Sequence, residues 1–159
     1  MTAKKTADQW FAEYGGVPPN LVLLGFQGIC VTAIYAGGLG FIWMIPVPES
    51  WMMTAPWFNW DLLAIAALMT FQVRVSPALS AGVFLFLSLC SAVIAGLDFL
   101  GLGPVWKFSA VALAAGLLGQ LIASWRQGRN FSGGKDVVFL LLAPAWLMSF
   151  VYRRLGQRY

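Results

Sequence analysis

The chain has 159 residues, 60% of them hydrophobic and only 10% charged, with a mean hydropathy of +0.77. That balance excludes an ordinary soluble globule, and the length allows one domain. The net charge of +4 comes with Lys and Arg gathered outside the apolar runs. This is the pattern of membrane topology and anionic-lipid contact, not of nucleic-acid binding.

The first stretch, MTAKKTADQWFAEYGG, is polar and lacks the apolar core of a cleavable secretory signal, so the first hydrophobic helix is expected to stay as a membrane span. Residues 6–14 suit a short interfacial helix, with Thr6 as N-cap and Gln9 completing a capping box. Trp10, Phe11 and Tyr14 share a face that would lie on the bilayer surface. Gly15 and Gly16, then Pro18 and Pro19, end it.

Residues 21–45 read as the first span, closed by Pro46 and Pro48. Gly28, Thr32, Ala36 and Gly40 recur at strict i+4 spacing, a small-residue stripe that lets another helix approach closely. Residues 49–60 alternate aromatic and polar side chains and belong at an interface. The apolar run 61–73 is only about 20 Å long as a helix. It spans only if residues 57–60 extend it or the bilayer thins, which gives a second span at 58–73. Arg74 and Pro77 mark a tight turn. Residues 78–97 form the third span, with Ser88, Ala92 and Gly96 as a second stripe. Residues 105–125 form the fourth, whose stripe is Ala112, Gly116, Gln120 and Ser124. The eight Trp sit mostly near predicted span ends, where amphipathic rings favour the headgroup level. Cys30 and Cys90 lie inside apolar runs, without C-x-x-C spacing, and read as packed thiols.

The last apolar segment, 137–152, reaches about 24 Å and carries Pro144 in its middle, which removes a hydrogen bond and kinks a helix. With four spans and the N-terminus inside, Lys4, Lys5, Arg74, Arg126, Arg129 and Lys135 are cytoplasmic, and Lys107 lies on the far side. A fifth crossing would put Arg153, Arg154 and Arg158 outside, against the positive-inside bias. The expected fold class is therefore an all-α, polytopic helical membrane protein in a single domain. It has four transmembrane helices plus a short Pro-kinked re-entrant or interfacial segment, with five spans as the alternative. Both termini are expected in the cytoplasm, at a bacterial inner or intracytoplasmic membrane.

Three ordered motifs close the chain: G-Q-x-x-x-x-x-x-x-G-R from Gly119, F-L-L-L-x-P-x-W-L from Phe139, and Y-R-R-L-G from Tyr152. Together they resemble the 2-hydroxy fatty acid dioxygenase family, small multi-pass membrane proteins that process long-chain base breakdown products with Fe(II). The family's first motif reads roughly G-Q-x-x-G-H-x-x-E-G-K/R. Ser124 stands here at its His and Gln127 at its Glu. Further matches are W-F-A-E-Y at 10–14, Q-G-I-C-V-T at 27–32 over the family's H-W-I-C-V-P, and Q-V-R-V-S-P at 72–77 over Y-L-R-L-S-P. The overlay puts Pro18 and Gln27 at two further family histidines and Leu23 at its Asn. The resemblance covers nearly the whole chain and implies an iron-dependent oxygenase outline.

The chain has no histidine and six acids. Non-haem Fe(II) oxygenases need imidazole with a carboxylate. Asp8, Glu13, Glu49 and Asp98 read as interface or loop residues, Asp136 follows the basic loop, and Asp61 reads as a helix N-terminal charge complementing the dipole. Ser/His/Asp and Cys/His arrangements lack their base. Gly37, Gly38 and Gly40, and Gly133 with Gly134, lack the context of a phosphate loop. No catalytic residue, metal ligand or cofactor is therefore expected.

A residual polar pocket of Gln27, Gln120, Ser124 and Gln127 holds a lipid headgroup on the functional reading. On the bland one it makes interhelical hydrogen bonds worth about 0.6 kcal/mol each. Arg126, Arg129, Lys135, Arg153 and Arg154 read as topology anchors or anionic-lipid contacts. The function expected is a non-catalytic scaffold or accessory subunit, partnered by membrane lipids and by transmembrane helices of a larger complex. Gly28, Thr32, Ala36, Gly40, Ala112 and Gly116 would serve as packing positions. The alternatives are a lipid-handling membrane enzyme and a free-standing lipid-binding protein.

Overall fold

The computed structural model describes residues 21–55, 57–126, 133–154 and 156. Among them the chain is all-α, with helices α1 (Leu21–Trp43), α2 (Glu49–Thr54), α3 (Trp60–Val75), α4 (Pro77–Phe99), α5 (Val105–Arg126) and α6 (Gly133–Arg154). The helix expected at 6–14, and Pro18, Gln127, Arg129 and Arg158, lie outside the described residues. Three helices, α1, α4 and α5, are long and apolar enough to cross a membrane. Helix α3 has 16 residues, about 24 Å against a hydrocarbon core of about 30 Å.

Local chemistry sets the breaks. Pro46 and Pro48 follow α1, and Glu49 in the first turn of α2 complements its dipole. Helices α3 and α4 are separated by Ser76 alone. Its backbone is extended, its Oγ accepts from Leu79 N at 3.4 Å, and Pro77 opens α4 where a missing N–H costs nothing. Gly101 and Gly103, at φ of 59° and 132°, turn the chain between α4 and α5. The sixth helix starts earlier than the expected 137 and continues through Pro144 without a break.

The tightest pairing joins α1 to α5. A Cβ on Gly37 would lie 2.7 Å from both Leu113 N and Ser109 O. One on Gly116 would lie 2.8 Å from Cys30 O and 2.9 Å from Ile34 N. At both places backbone packs on backbone, and only glycine fits. The register is antiparallel, since Gly40 meets Ser109, Ile34 meets Gly116 and Cys30 meets Gly119.

The i+4 stripe on α1 does not meet a single neighbour. A step of four residues turns about 40° beyond a full circle at 3.6 residues per turn, so three steps turn about 120°. Gly40 accordingly faces Ser109 of α5, while Gly28 faces Leu147 of α6. Helix α4 completes the core with Leu79, Val83, Leu87, Cys90 and Ile94, packed with Val31, Tyr35 and Leu39 of α1, Ile65 of α3 and Trp146 of α6. Their steps of four and three residues make one continuous apolar face.

Charge separates along this bundle. Gly40 reaches Ile94, and Trp60 Nε1 at the start of α3 donates to Pro46 O just past α1. These contacts place the end of α3 and the end of α5 level with the start of α1. Arg74 and Arg126 therefore gather at that end, with Glu49, Asp98 and Lys107 at the other.

Neighbouring glycines give a direct check on the seam. Gly38 has open space where its Cβ would be, so Gly38→Ala should be neutral or gain up to about 1 kcal/mol of helix propensity. Gly37→Ala should lose about 1–3 kcal/mol through overpacking. Thermal unfolding of both variants in mild detergent measures the difference, and equal behaviour would contradict the seam.

Candidate functional site

A proline inside a helix has no N–H for the carbonyl four residues earlier. For Pro144 that carbonyl belongs to Leu140, and in an apolar interior it needs another donor. Tyr35 of α1 supplies one, its hydroxyl donating to Leu140 O at 2.9 Å. The next carbonyl, Leu141 O, accepts from Gln72 Nε2 of α3 at 2.6 Å. Tyr35 and Gln72 are both buried, as are Leu142, Ala143, Pro144, Ala145 and Trp146 around the docking point. One turn later Ser149 Oγ donates to Trp146 O at 2.6 Å, and Trp146 stacks edge-on against Phe150 with centroids 4.9 Å apart.

A second buried polar group lies between α3 and α4. Asp61 is fully buried, and its Oδ2 accepts a hydrogen bond from Ser91 Oγ, while its Oδ1 has no partner among the described residues. The same holds for Gln72 Oε1 and Gln27 Oε1. Nearby, Trp43 Nε1 donates to Asp98 Oδ2 at 3.1 Å and Asn59 Nδ2 to Trp43 O at 3.3 Å. Trp51, Phe58 and Trp60 pack together with centroids 5.5–5.6 Å apart. This end carries the amphipathic rings that suit a headgroup region.

Of the residues expected to form a polar pocket, Gln27 is buried on α1, and Gln120 and Ser124 are half-buried on α5. The α1–α5 register puts Gln27 level with the last turn of α5. The small-residue positions divide in the same way. Gly40 and Gly116 lie in the seam, Gly28 meets α6, Ala112 is half-buried, and Thr32 and Ala36 border a groove. Thr32 turns its hydroxyl back to Gly28 O at 2.9 Å. Lys135 falls in the opening turns of α6, and Arg153 and Arg154 close it.

Among the described residues, no group of three His, Cys, Asp or Glu side chains gathers as metal ligands would. Cys30 and Cys90 are separate buried thiols. Concavities open among the described residues in several places. One of about 680 Å³ runs between α1 and α6, one of about 700 Å³ lies by Trp43 and Asp98, and one of about 270 Å³ lies above Tyr35 and Leu140. Neither Asp61 with Ser91 nor the expected set of Gln27, Gln120 and Ser124 lines any of the three.

No family model matches the chain, and neither a curated protein nor a solved structure matches it.

Sequence reasoning missed Tyr35 and Gln72 as partners of Pro144. The available signal was the proline itself, which in an apolar helix demands a donor from a neighbour. Tyr35→Phe should destabilise the chain by about 1–2 kcal/mol, the cost of leaving a buried carbonyl unpaired. Pro144→Ala restores a backbone N–H to Leu140 O, so Tyr35→Phe made in that background should cost less than half as much. Unfolding of the four proteins in the cycle measures the coupling, and strict additivity would contradict the assignment.

Proposed function

We propose that this chain is a multi-pass membrane protein that acts without chemistry of its own, as a scaffold or accessory subunit of a larger membrane complex. The observation that carries the reading is the use made of the interior donors. Tyr35 and Gln72 hold α6, Ser149 bonds back into its own helix, and Ser91 holds Asp61. A chain without histidine keeps few other groups for acid–base or metal work. Its outward faces are apolar instead, with Val111, Leu118, Ile122 and Trp125 of α5 and Phe84, Leu85 and Leu89 of α4 exposed. Such faces suit lipid and the helices of other subunits.

In this reading α1, α3, α4 and α5 cross the bilayer, with α3 accommodated by local thinning, and α6 is seated against them and returns to the same side. The gathering of Arg74 and Arg126 at one end supports that side as cytoplasmic, at a bacterial inner or intracytoplasmic membrane. The resemblance to the 2-hydroxy fatty acid dioxygenases makes the chain a histidine-free relative. Burial of Gln27, at the position of a family histidine, is consistent with that descent.

Topology is tested by single cysteines at Arg74, Lys107, Arg126 and Arg154, in a background lacking Cys30 and Cys90. Labelling should separate Lys107 from the other three. Opposite accessibility at Arg126 and Arg154 would establish a fifth crossing. Function is tested by isolating the tagged chain from its membrane in mild detergent and weighing what co-migrates. The accessory reading expects a membrane partner in fixed proportion. A chain that runs alone, carries stoichiometric iron, or turns over lipid in a manner lost in Gln27→Ala with Ser124→Ala, would contradict it.

A further inference from the structure

Where α6 passes α1, Tyr35 meets Leu140 and Gly28 meets Leu147, so α6 runs back toward the start of α1. On the same trend its last turn comes to the Leu21 end, and the two helices leave the groove of about 680 Å³ between them. Its α1 wall has small residues at Gly25, Gly28, Ala33 and Ala36 between the larger Leu24 and Ile29, and its α6 wall holds Leu147, Phe150 and Arg154. With the Thr32 hydroxyl turned into its own helix, the wall is apolar along its length. Among the described residues, the one charged side chain in the lining is Arg154, at the end of the bundle where Arg74 and Arg126 also lie.

The chemistry of the lining decides between occupants. From Leu21 to Ala36 the groove follows α1 for about 22 Å, an apolar strip with a cation at its end. A flexible hydrocarbon chain that ends in an anionic headgroup matches both features. The cation at the mouth adds charge complementarity, because a guanidinium offers a fork of donors that fits phosphate oxygens.

We propose that this groove binds an anionic phospholipid, one acyl chain lying against the small residues of α1 and the phosphate meeting Arg154. The inference rests on the membrane-embedded part of the reading above and not on the accessory role. The bound lipid would fill the space between α1 and the end of α6 and give α6 a headgroup-level anchor.

The test uses the full chain, reconstituted into vesicles of equal parts phosphatidylglycerol and phosphatidylcholine, re-extracted, and weighed by native mass spectrometry. One phosphatidylglycerol should be retained per chain in preference to phosphatidylcholine. Arg154→Gln should lower that preference about fivefold, the effect of one basic residue at an anionic surface. Arg126→Gln, at the same end but outside the groove, should change it less than twofold. Ala33→Trp should fill the groove and abolish retention of both lipids. Circular dichroism confirms that each variant keeps its helix content, and Arg154→Gln, an exposed change, remains decisive should Ala33→Trp misfold. An equal loss in Arg126→Gln would reduce the effect to surface charge and overturn the proposal. So would retention untouched by both groove variants, a retained free fatty acid, or a retained second copy of the chain. A chain that washes out of the vesicles with carbonate overturns the membrane reading itself, whereas an inserted chain that keeps no lipid overturns only the groove.

Discussion

Pro144 creates the constraint on which the packing of the last helix depends. A helix in an apolar surround can satisfy its backbone only internally, and a proline removes one of those internal bonds. The freed carbonyl must then be met from outside, and the donor must come from a helix that is already in place. Tyr35 and Gln72 meet Leu140 O and Leu141 O from α1 and α3. The pairing thus fixes α6 against two other helices at one level of the bundle, and a packing fault becomes a docking point. Leu142, Ala143, Ala145 and Trp146 are buried around it, so apolar burial and the two hydrogen bonds act at the same place.

That docking point needs α1 to be rigid, and the α1–α5 seam makes it so. Glycine at 37 and at 116 brings the two backbones into contact, where dispersion attraction is strongest for helices in lipid. Between bonds that hold α6 and glycines that hold α5, much of α1 is committed to the fold. Among the described residues, apolar side chains remain open to outside contact at Val22 and Ile29 of α1, Met53 of α2, Leu63 and Val73 of α3, and along α4 and α5. On the proposal made above, the interior polar groups serve structure and the apolar faces serve association.

Much of the fold was legible because apolar runs and their breakers are local signals. Pro46, Ser76 with Pro77, and the glycines after α4 end or begin helices within two or three residues of the expected places. Partner assignment was less legible. The i+4 stripe reads as one face on paper, but a helix of 3.6 residues per turn rotates it away, so Gly28 and Gly40 serve different neighbours. The extent of α6 also escaped, since 137–152 was set by hydropathy and the helix begins at Gly133. Asp61 reads locally as a dipole complement, yet it is fully buried against Ser91, thirty residues away in sequence. Tyr35 and Leu140 are 105 residues apart, a separation that no local pattern encodes.

The central claim is that the interior polar groups hold α6 in place. Hydrogen–deuterium exchange of the chain in mild detergent tests it at the backbone, comparing the native chain with Tyr35→Phe combined with Gln72→Leu. The account predicts faster exchange across α6, centred on residues 140–150, with the α1–α5 seam unchanged. Exchange in α6 that stays as slow as in the native chain, or that rises evenly through every helix, would contradict it.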